Sequence, residues 1–140
     1  MINPTAISEE QHQQLLFSWR DQAVKLHPEL EALYAIRNEA RRSKFEGMKA
    51  NLAGLSSGLP DLHLPIAKGE YSSLYIELKE PKRKLKTPKL HTCGYLRLGG
   101  ETEKQIEWIM RLRKWENRVE VAYGWEEARD CILKYMEGYK

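Results

Sequence analysis

Cysteine is scarce in this chain. Cys93 and Cys131 are the only two in 140 residues, and they form neither a CxxC pair nor a disulfide framework. A reducing, cytoplasmic setting is the expectation. No stretch approaches the roughly 20 apolar residues that a membrane-spanning helix needs. Met1 to Glu10 lacks the basic and then apolar blocks of a secretory signal. The four histidines, His12, His27, His63 and His91, have no zinc-ligand spacing and are expected to be structural or surface residues. There is no internal repeat. Against these absences stand four Trp and seven Tyr, which give the chain large side chains to bury and argue against disorder. The length suits one domain over residues 1–140.

A net charge of only +3 hides an uneven distribution. Residues 1–31 carry two basic and five acidic side chains, residues 32–100 thirteen and six, and residues 101–140 eight and nine. The segments are therefore −3, +7 and −1. A basic band of this kind favours a polyanion such as nucleic acid, although a solvated lysine-rich loop has the same composition.

Ser8 and Gln11 have capping-box spacing, and Glu9 and Glu10 fall in the first turn, where the helix dipole favours them. Leu15, Leu16, Trp19, Ala23 and Leu26 then recur at helical spacing. The predicted helix ends at His27-Pro28, since proline pushes its predecessor out of the α region. Leu33 to Ile36 suits a short strand or buried turn. Residues 41–53 suit a helix with Phe45, Met48 and Leu52 on one face, and residues 54–58 a loop. Leu62, Leu64 and Ile66, and again Leu74, Ile76 and Leu78, alternate with other residues as strands do. Residues 67–73, with Gly69, can close a hairpin between them. Residues 81–100 are expected to be an extended basic loop. Thr102 begins a helix to about Trp115 with Ile106, Ile109, Met110 and Leu112 apolar. Val119 and Val121 mark a strand, and Gly124 breaks it. A closing helix buries Ala128, Ile132 and Tyr135 or Met136. The order predicts a mixed α/β domain around a small central sheet.

Chemistry concentrates on the two central strands. Asp61 follows Pro60 at the start of one, and Glu77 and Lys79 share a face of the next. If these strands pair as a hairpin, both carboxylates and the ammonium line one surface. Asp and Glu are hard oxygen ligands of the kind that hold Mg²⁺. Such a metal lowers the pKa of a bound water and polarises a phosphoryl oxygen. A nearby lysine can orient or deprotonate that water or stabilise the developing charge. The same groups also make an ordinary surface ion-pair cluster worth about 0–1 kcal/mol.

The pattern P-D-x15-E-x-K resembles the PD-(D/E)xK nuclease superfamily, and its surroundings resemble one branch, the VRR-NUC (virus-type replication-repair) nucleases. Ser8-Glu9, Gln13, Leu16-Phe17 and Trp19 are similar to that family's first helix. Leu33-Tyr34-Ala35-Ile36 with Asn38-Glu39 is similar to its second motif, and Lys44 to Gly47 with Gly58 to Pro65 to its central block. Leu74 to Lys79 is similar to the catalytic strand, and Thr102 to Gln105 with Trp108 and Leu112 to the glutamine helix. Val119 to Ala128, with Ile132 and Tyr135, is similar to the closing strand and helix. The likeness covers about residues 8–139. Two places depart from it. Arg37 stands where the family usually has proline. Residues 81–101 are longer than the usual connection and include Cys93, Tyr95 and six Lys or Arg.

The resemblance implies a restriction-endonuclease-like α/β fold, with a small mixed sheet flanked by helices, in a protein of the stand-alone phage or prophage type. It implies Mg²⁺ (or Mn²⁺) held by Glu9, Asp61, Glu77 and the Leu78 carbonyl, with Glu10 the register alternative to Glu9. Asp61, Glu77, Lys79 and Gln105 would be catalytic, Gln105 orienting the lysine or a metal-bound water. Lys82, Arg83, Lys84, Lys86 and Lys89 lie next to Lys79 and are expected to contact phosphates. The implied activity is a metal-dependent, structure-selective DNA endonuclease. It would hydrolyse branched DNA such as four-way junctions as a homodimer in the cytoplasm of a bacterial host. A catalytically inactive nucleic-acid-binding module and a monomeric flap or end nuclease are the alternatives.

Overall fold

A computed structural model describes residues 7–36 and 57–138. The helix expected over 41–53, and the Asn38-Glu39 and Lys44 to Gly47 motifs, lie outside the described residues. In chain order the elements are α1 (Glu9–Ala23), a 3-10 turn (Pro28–Ala32), β1 (Tyr34–Ala35), β2 (Leu62–Leu64) and β3 (Leu74–Lys79). A second 3-10 turn (Pro81–Arg83), β4 (Lys89–Leu90), β5 (Leu96–Arg97), α2 (Glu103–Lys114), β6 (Arg118–Tyr123) and α3 (Trp125–Glu137) follow.

Helix α1 starts as its sequence predicts. Ser8 Oγ accepts the Gln11 N–H at 3.1 Å, and the Ser8 N–H donates to Gln11 Oε1 at 2.8 Å. A cap of this kind contributes about 1 kcal/mol. The helix ends at Ala23, a turn earlier than expected. There the Leu26 and His27 N–H groups both donate to the Ala23 carbonyl and the chain turns away, so Leu26 is 84% exposed and leaves the predicted stripe.

The main sheet has the order β1-β2-β3-β6. Strands β1, β2 and β3 pair antiparallel, with Leu62 opposite Ile76; β3 and β6 pair parallel, with Glu77 opposite Val121 and Lys79 opposite Tyr123. Leu62, Leu64, Leu74, Ile76 and Leu78 form one core with Leu16 of α1 and Ala128, Ile132 and Tyr135 of α3. Val119, Val121 and Tyr123 form the other with Ile106, Ile109 and Leu112 of α2. Each fully buried Leu or Ile contributes about 1.5–3 kcal/mol. Because successive strand residues alternate, locking the leucine set against α1 and α3 sends Asp61, Glu77 and Lys79 to the α2 face. Met110, expected in the apolar stripe of α2, points outward and is 37% exposed.

Residues 81–101 are not an extended loop. They form the 3-10 turn and an antiparallel β4–β5 hairpin in which Lys89 pairs with Arg97 and Leu90 with Leu96. Gly58 sets the approach to Asp61. Its φ is +84°, and a Cβ there would lie 2.8 Å from Lys104 Cβ, so only glycine lets this loop press against α2.

Candidate active site

Asp61 enters β2 with its carbonyl held by the Ile36 N–H at 2.7 Å. Continuing the Leu62–Ile76 register places it opposite Glu77. Its Oδ2 accepts the Leu78 N–H at 2.8 Å, an amide that lies past the end of the β2 ladder. The N–H and C=O of a strand residue leave on the same edge, so the Leu78 carbonyl also emerges on the Asp61 side.

Glu77 is only 1% exposed. Gln105 Nε2 donates to its Oε1 at 3.0 Å, and Lys79 Nζ stands 3.7 Å from the same oxygen. Its Oε2 is buried and receives no donor among the described residues. Burial pushes the Glu77 carboxyl well above the ordinary carboxylate range; the charge of Asp61 and, more weakly, that of Glu9 push the same way, while Lys79 opposes them. Two carboxylates in contact can bond only through a shared proton, and a cation is the chemical replacement for that proton.

Lys79 is buried, and its Nζ donates to Gln105 Oε1 at 2.9 Å. Gln105 Oε1 also accepts the Thr102 N–H at 2.9 Å, while Thr102 Oγ1 accepts the Gln105 N–H at 3.2 Å. One glutamine thus completes the capping box of α2, bridges to Lys79 and donates to Glu77. Two donors at Oε1 and one acceptor at Nε2 fix its amide orientation.

The residues fit a hard divalent cation. Among the described residues no three His, Cys, Asp or Glu side chains converge on one point. Asp61, Glu77 and the Leu78 carbonyl would be the donors, and the charge of Glu9 is felt at Glu77. Mg²⁺ suits this set, since it keeps several waters and takes only one or two carboxylates. Glu9 is partly buried, whereas its register alternative Glu10 is exposed. Gln13 is partly buried and makes no hydrogen bond to the site among the described residues.

Lys82, Arg83, Lys84, Lys86 and Lys89 are all exposed on the segment leaving β3. Lys82 pairs with Glu80 at 3.1 Å and Lys84 with Glu127 at 3.4 Å, the latter also 5.5 Å from the Tyr123 ring centroid. Exposed pairs of this kind are worth about 0–1 kcal/mol and yield readily to a phosphate.

Several residues escape a sequence-level reading. Glu101 is fully buried and accepts from Tyr95 Oη at 2.6 Å, the Leu98 N–H at 2.9 Å and the Gly99 N–H at 2.6 Å. Burial pulls this carboxyl up, but those donors outweigh it and hold the group below its ordinary value. The one signal was that Glu101 is the first acidic residue after Glu80 and directly precedes T-x-x-Q. His12 is fully buried, and its Nδ1 accepts the Trp125 N–H at 3.1 Å, capping a helix whose own N-cap is Gly124.

His63 lies on the Asp61 face but is engaged within the protein. Ser73 Oγ donates to Asn117 at 2.7 Å, so it accepts from His63 Nε2 at 3.0 Å, and His63 Nδ1 accepts the Tyr34 hydroxyl at 2.8 Å. Burial lowers its pKa, in keeping with this neutral form. His91 joins the tip of the hairpin to α2, with Glu103 at 2.7 Å and Cys93 Sγ at 2.9 Å. Cys93 is thus part of a contact that also reaches Met110 Sδ at 3.4 Å. Burial raises the Cys131 thiol to about 12. Trp115 is 57% exposed.

The family model of the VRR-NUC domain matches residues 2–126. A solved structure described as a "VRR_NUC domain protein" has a TM-score of 0.69 and 21% identity, over 94% of this chain and 90% of that chain. That likeness is one of fold, restriction-endonuclease-like with a mixed sheet between helices. No curated protein matches. The matched span takes in Glu9, Asp61, Glu77, Lys79 and Gln105, together with the 81–101 hairpin segment. The chain belongs to the VRR-NUC domain family, and a function of the nuclease type comes with that membership.

Proposed function

We propose that the protein is a Mg²⁺- or Mn²⁺-dependent endonuclease that hydrolyses phosphodiester bonds in branched DNA, four-way junctions included, as a homodimer. The observation that carries this reading is the buried Asp61–Glu77 pair, with one Glu77 oxygen left without a donor and Lys79 fixed 3.7 Å from the other. Asp61, Glu77 and the Leu78 carbonyl would hold the metal. When bound, it supplies an activated water and a polarised phosphoryl oxygen.

The chain's own groups do the rest. Lys79 Nζ donates once to Gln105, which leaves two N–H bonds for a phosphate oxygen or for the attacking water. Gln105 holds that ammonium in place, so little rotamer freedom is lost on reaching the transition state. The exposed Lys82, Arg83, Lys84, Lys86 and Lys89 would bind flanking phosphates without reading sequence. A two-fold dimer matches two sites to two strands, and Trp115, exposed at the end of α2, offers the kind of aromatic anchor that such interfaces use.

The test is a panel of flap, nicked, duplex and four-way-junction DNA, each with Mg²⁺, Mn²⁺ or EDTA. Cutting of branched DNA in metal alone is expected. Preference for simple ends overturns the substrate assignment. Salt-sensitive binding without any cutting assigns a binding module instead.

A further inference from the structure

Residues 81–100 hold six basic and no acidic side chains, and in their midst the hairpin carries a pattern that the hydrolytic centre does not use. Leu90 faces Leu96 across the ladder, and Lys89 faces Arg97. One side of this ribbon is fastened to α2. Tyr95 is buried in the cluster of Ile106 and Ile109, and His91 reaches Glu103 at 2.7 Å. Alternation sends Leu90 and Leu96 to the other side, where they are 76% and 50% exposed. Cross-strand partners have Cβ atoms about 4.5–5.5 Å apart, so the two side chains make one apolar ridge.

The ridge stands beside the reaction site. Gly99, three residues beyond Leu96, accepts the Tyr123 hydroxyl at 2.6 Å, and Tyr123 is the register partner of Lys79. Gly99 also has φ +137° and sits where a Cβ would be 2.0 Å from the Arg83 carbonyl oxygen, so the end of the hairpin is clamped to the turn that follows Lys79. Three residues span at most about 10 Å, or roughly three base-pair steps of about 3.4 Å.

Charge and area choose the occupant. Two leucines supply far less than the roughly 800 Å² per partner of a stable protein interface, and pairing with a second copy would bring two strongly positive segments together. A polyanion matches that charge. Apolar side chains flanked by Lys and Arg are also the means by which proteins unstack and kink a base step. We infer that Leu90 and Leu96 form a wedge that enters the base stack at a DNA branch point. Lys86, on the segment that leads into the ribbon, would lie on an adjoining phosphate, so that the strand delivered to Asp61 and Glu77 is already unpaired. This inference rests on the proposed nuclease reading and adds how the branch is engaged.

The test uses the full chain and a four-way junction with 2-aminopurine next to the branch, recorded in EDTA at saturating protein. Wild type is expected to raise the fluorescence at that position and not at one in the middle of an arm. The Leu90→Ala/Leu96→Ala double variant, which removes only exposed groups, is expected to lose most of that rise while still binding the junction. In Mg²⁺, the ratio of cutting of a junction pre-opened by mismatches to cutting of a fully paired one is expected to rise about tenfold in the variant. An equal fluorescence rise in wild type and variant overturns the wedge. So does a change from dimer to monomer on sedimentation, which would make the ridge a self-interface. Unstacking by wild type with no cutting in Mg²⁺ overturns the nuclease reading and keeps the wedge. Cutting with no unstacking does the reverse.

Discussion

At Glu77, burial and the Asp61 charge both favour the protonated carboxyl, so its folded pKa lies above the ordinary 4.5. The sign of the linkage follows. The folded state takes up a proton more readily than the unfolded one, its benefit is full below about pH 4.5, and it is lost as pH rises through the elevated folded value. In metal-free protein the Glu77 carboxyl therefore becomes progressively less favourable to the fold as pH rises above about 4.5. Glu77→Gln can still accept from Gln105 and can donate to Asp61. It is expected to raise the melting temperature in EDTA by about 3–6 °C at pH 8 and by little at pH 4. Scanning calorimetry at the two pH values checks this, and a lower melting temperature at pH 8 would contradict the electrostatic picture. The shared face of Asp61, Glu77 and Lys79 was legible in the sequence because period-two alternation sets them opposite the leucines, whereas their register came only with the folded strands and their chemical role only from the family likeness. Gln105 was legible only through the family likeness, although T-x-x-Q is also a capping signal. His12 was not legible, since its partner amide is 113 residues away in the chain.

Among the elements, the segment between β3 and α2 departs furthest from expectation. Its strands, Lys89–Leu90 and Leu96–Arg97, are too short for alternation to show. What shapes it is Glu101, whose three donors tie the Leu98–Gly99 turn to Tyr95 immediately ahead of the capping box that holds Gln105. Its pKa is depressed in the fold, so its contribution is present above about pH 4.5 and fades as pH falls through the folded value. Glu101→Gln is expected to cost about 1–3 kcal/mol at pH 7, with the difference from wild type shrinking in acid. Urea titrations at pH 7 and pH 3.5 measure both, and a loss that persists unchanged at the lower pH would contradict the charged-acceptor role. Helical periodicity was similarly partial. It placed Leu16, Ile106 and Ile109 correctly, but it could not tell that α1 stops at Ala23 or that Met110 lies on the outer flank of α2.

For the whole molecule, the apolar layers and the charge pattern lead to one place. Two cores on opposite faces of a four-stranded sheet hold β3 centrally, and the α2 face receives the residues that alternation denies to the other core. Among the described residues, Lys82, Arg83, Lys84, Lys86 and Lys89 are exposed on the segment that leaves the strand of Glu77 and Lys79, and Glu9, from the acidic N-terminal segment, adds to the field at Glu77. A basic segment thus adjoins a buried carboxylate pair, the combination that the proposed hydrolysis of a phosphodiester with a divalent cation would use. The most direct measurement is the single-turnover rate at which wild type, Lys79→Ala and Glu77→Gln cut one labelled branched DNA at saturating Mg²⁺. The geometry predicts a loss of about 10²–10⁴-fold for Lys79→Ala and at least as much for Glu77→Gln, with no cutting by wild type in EDTA. Cutting by either variant within about tenfold of wild type, or wild-type cutting that survives EDTA, would contradict Asp61, Glu77 and Lys79 as the hydrolytic centre.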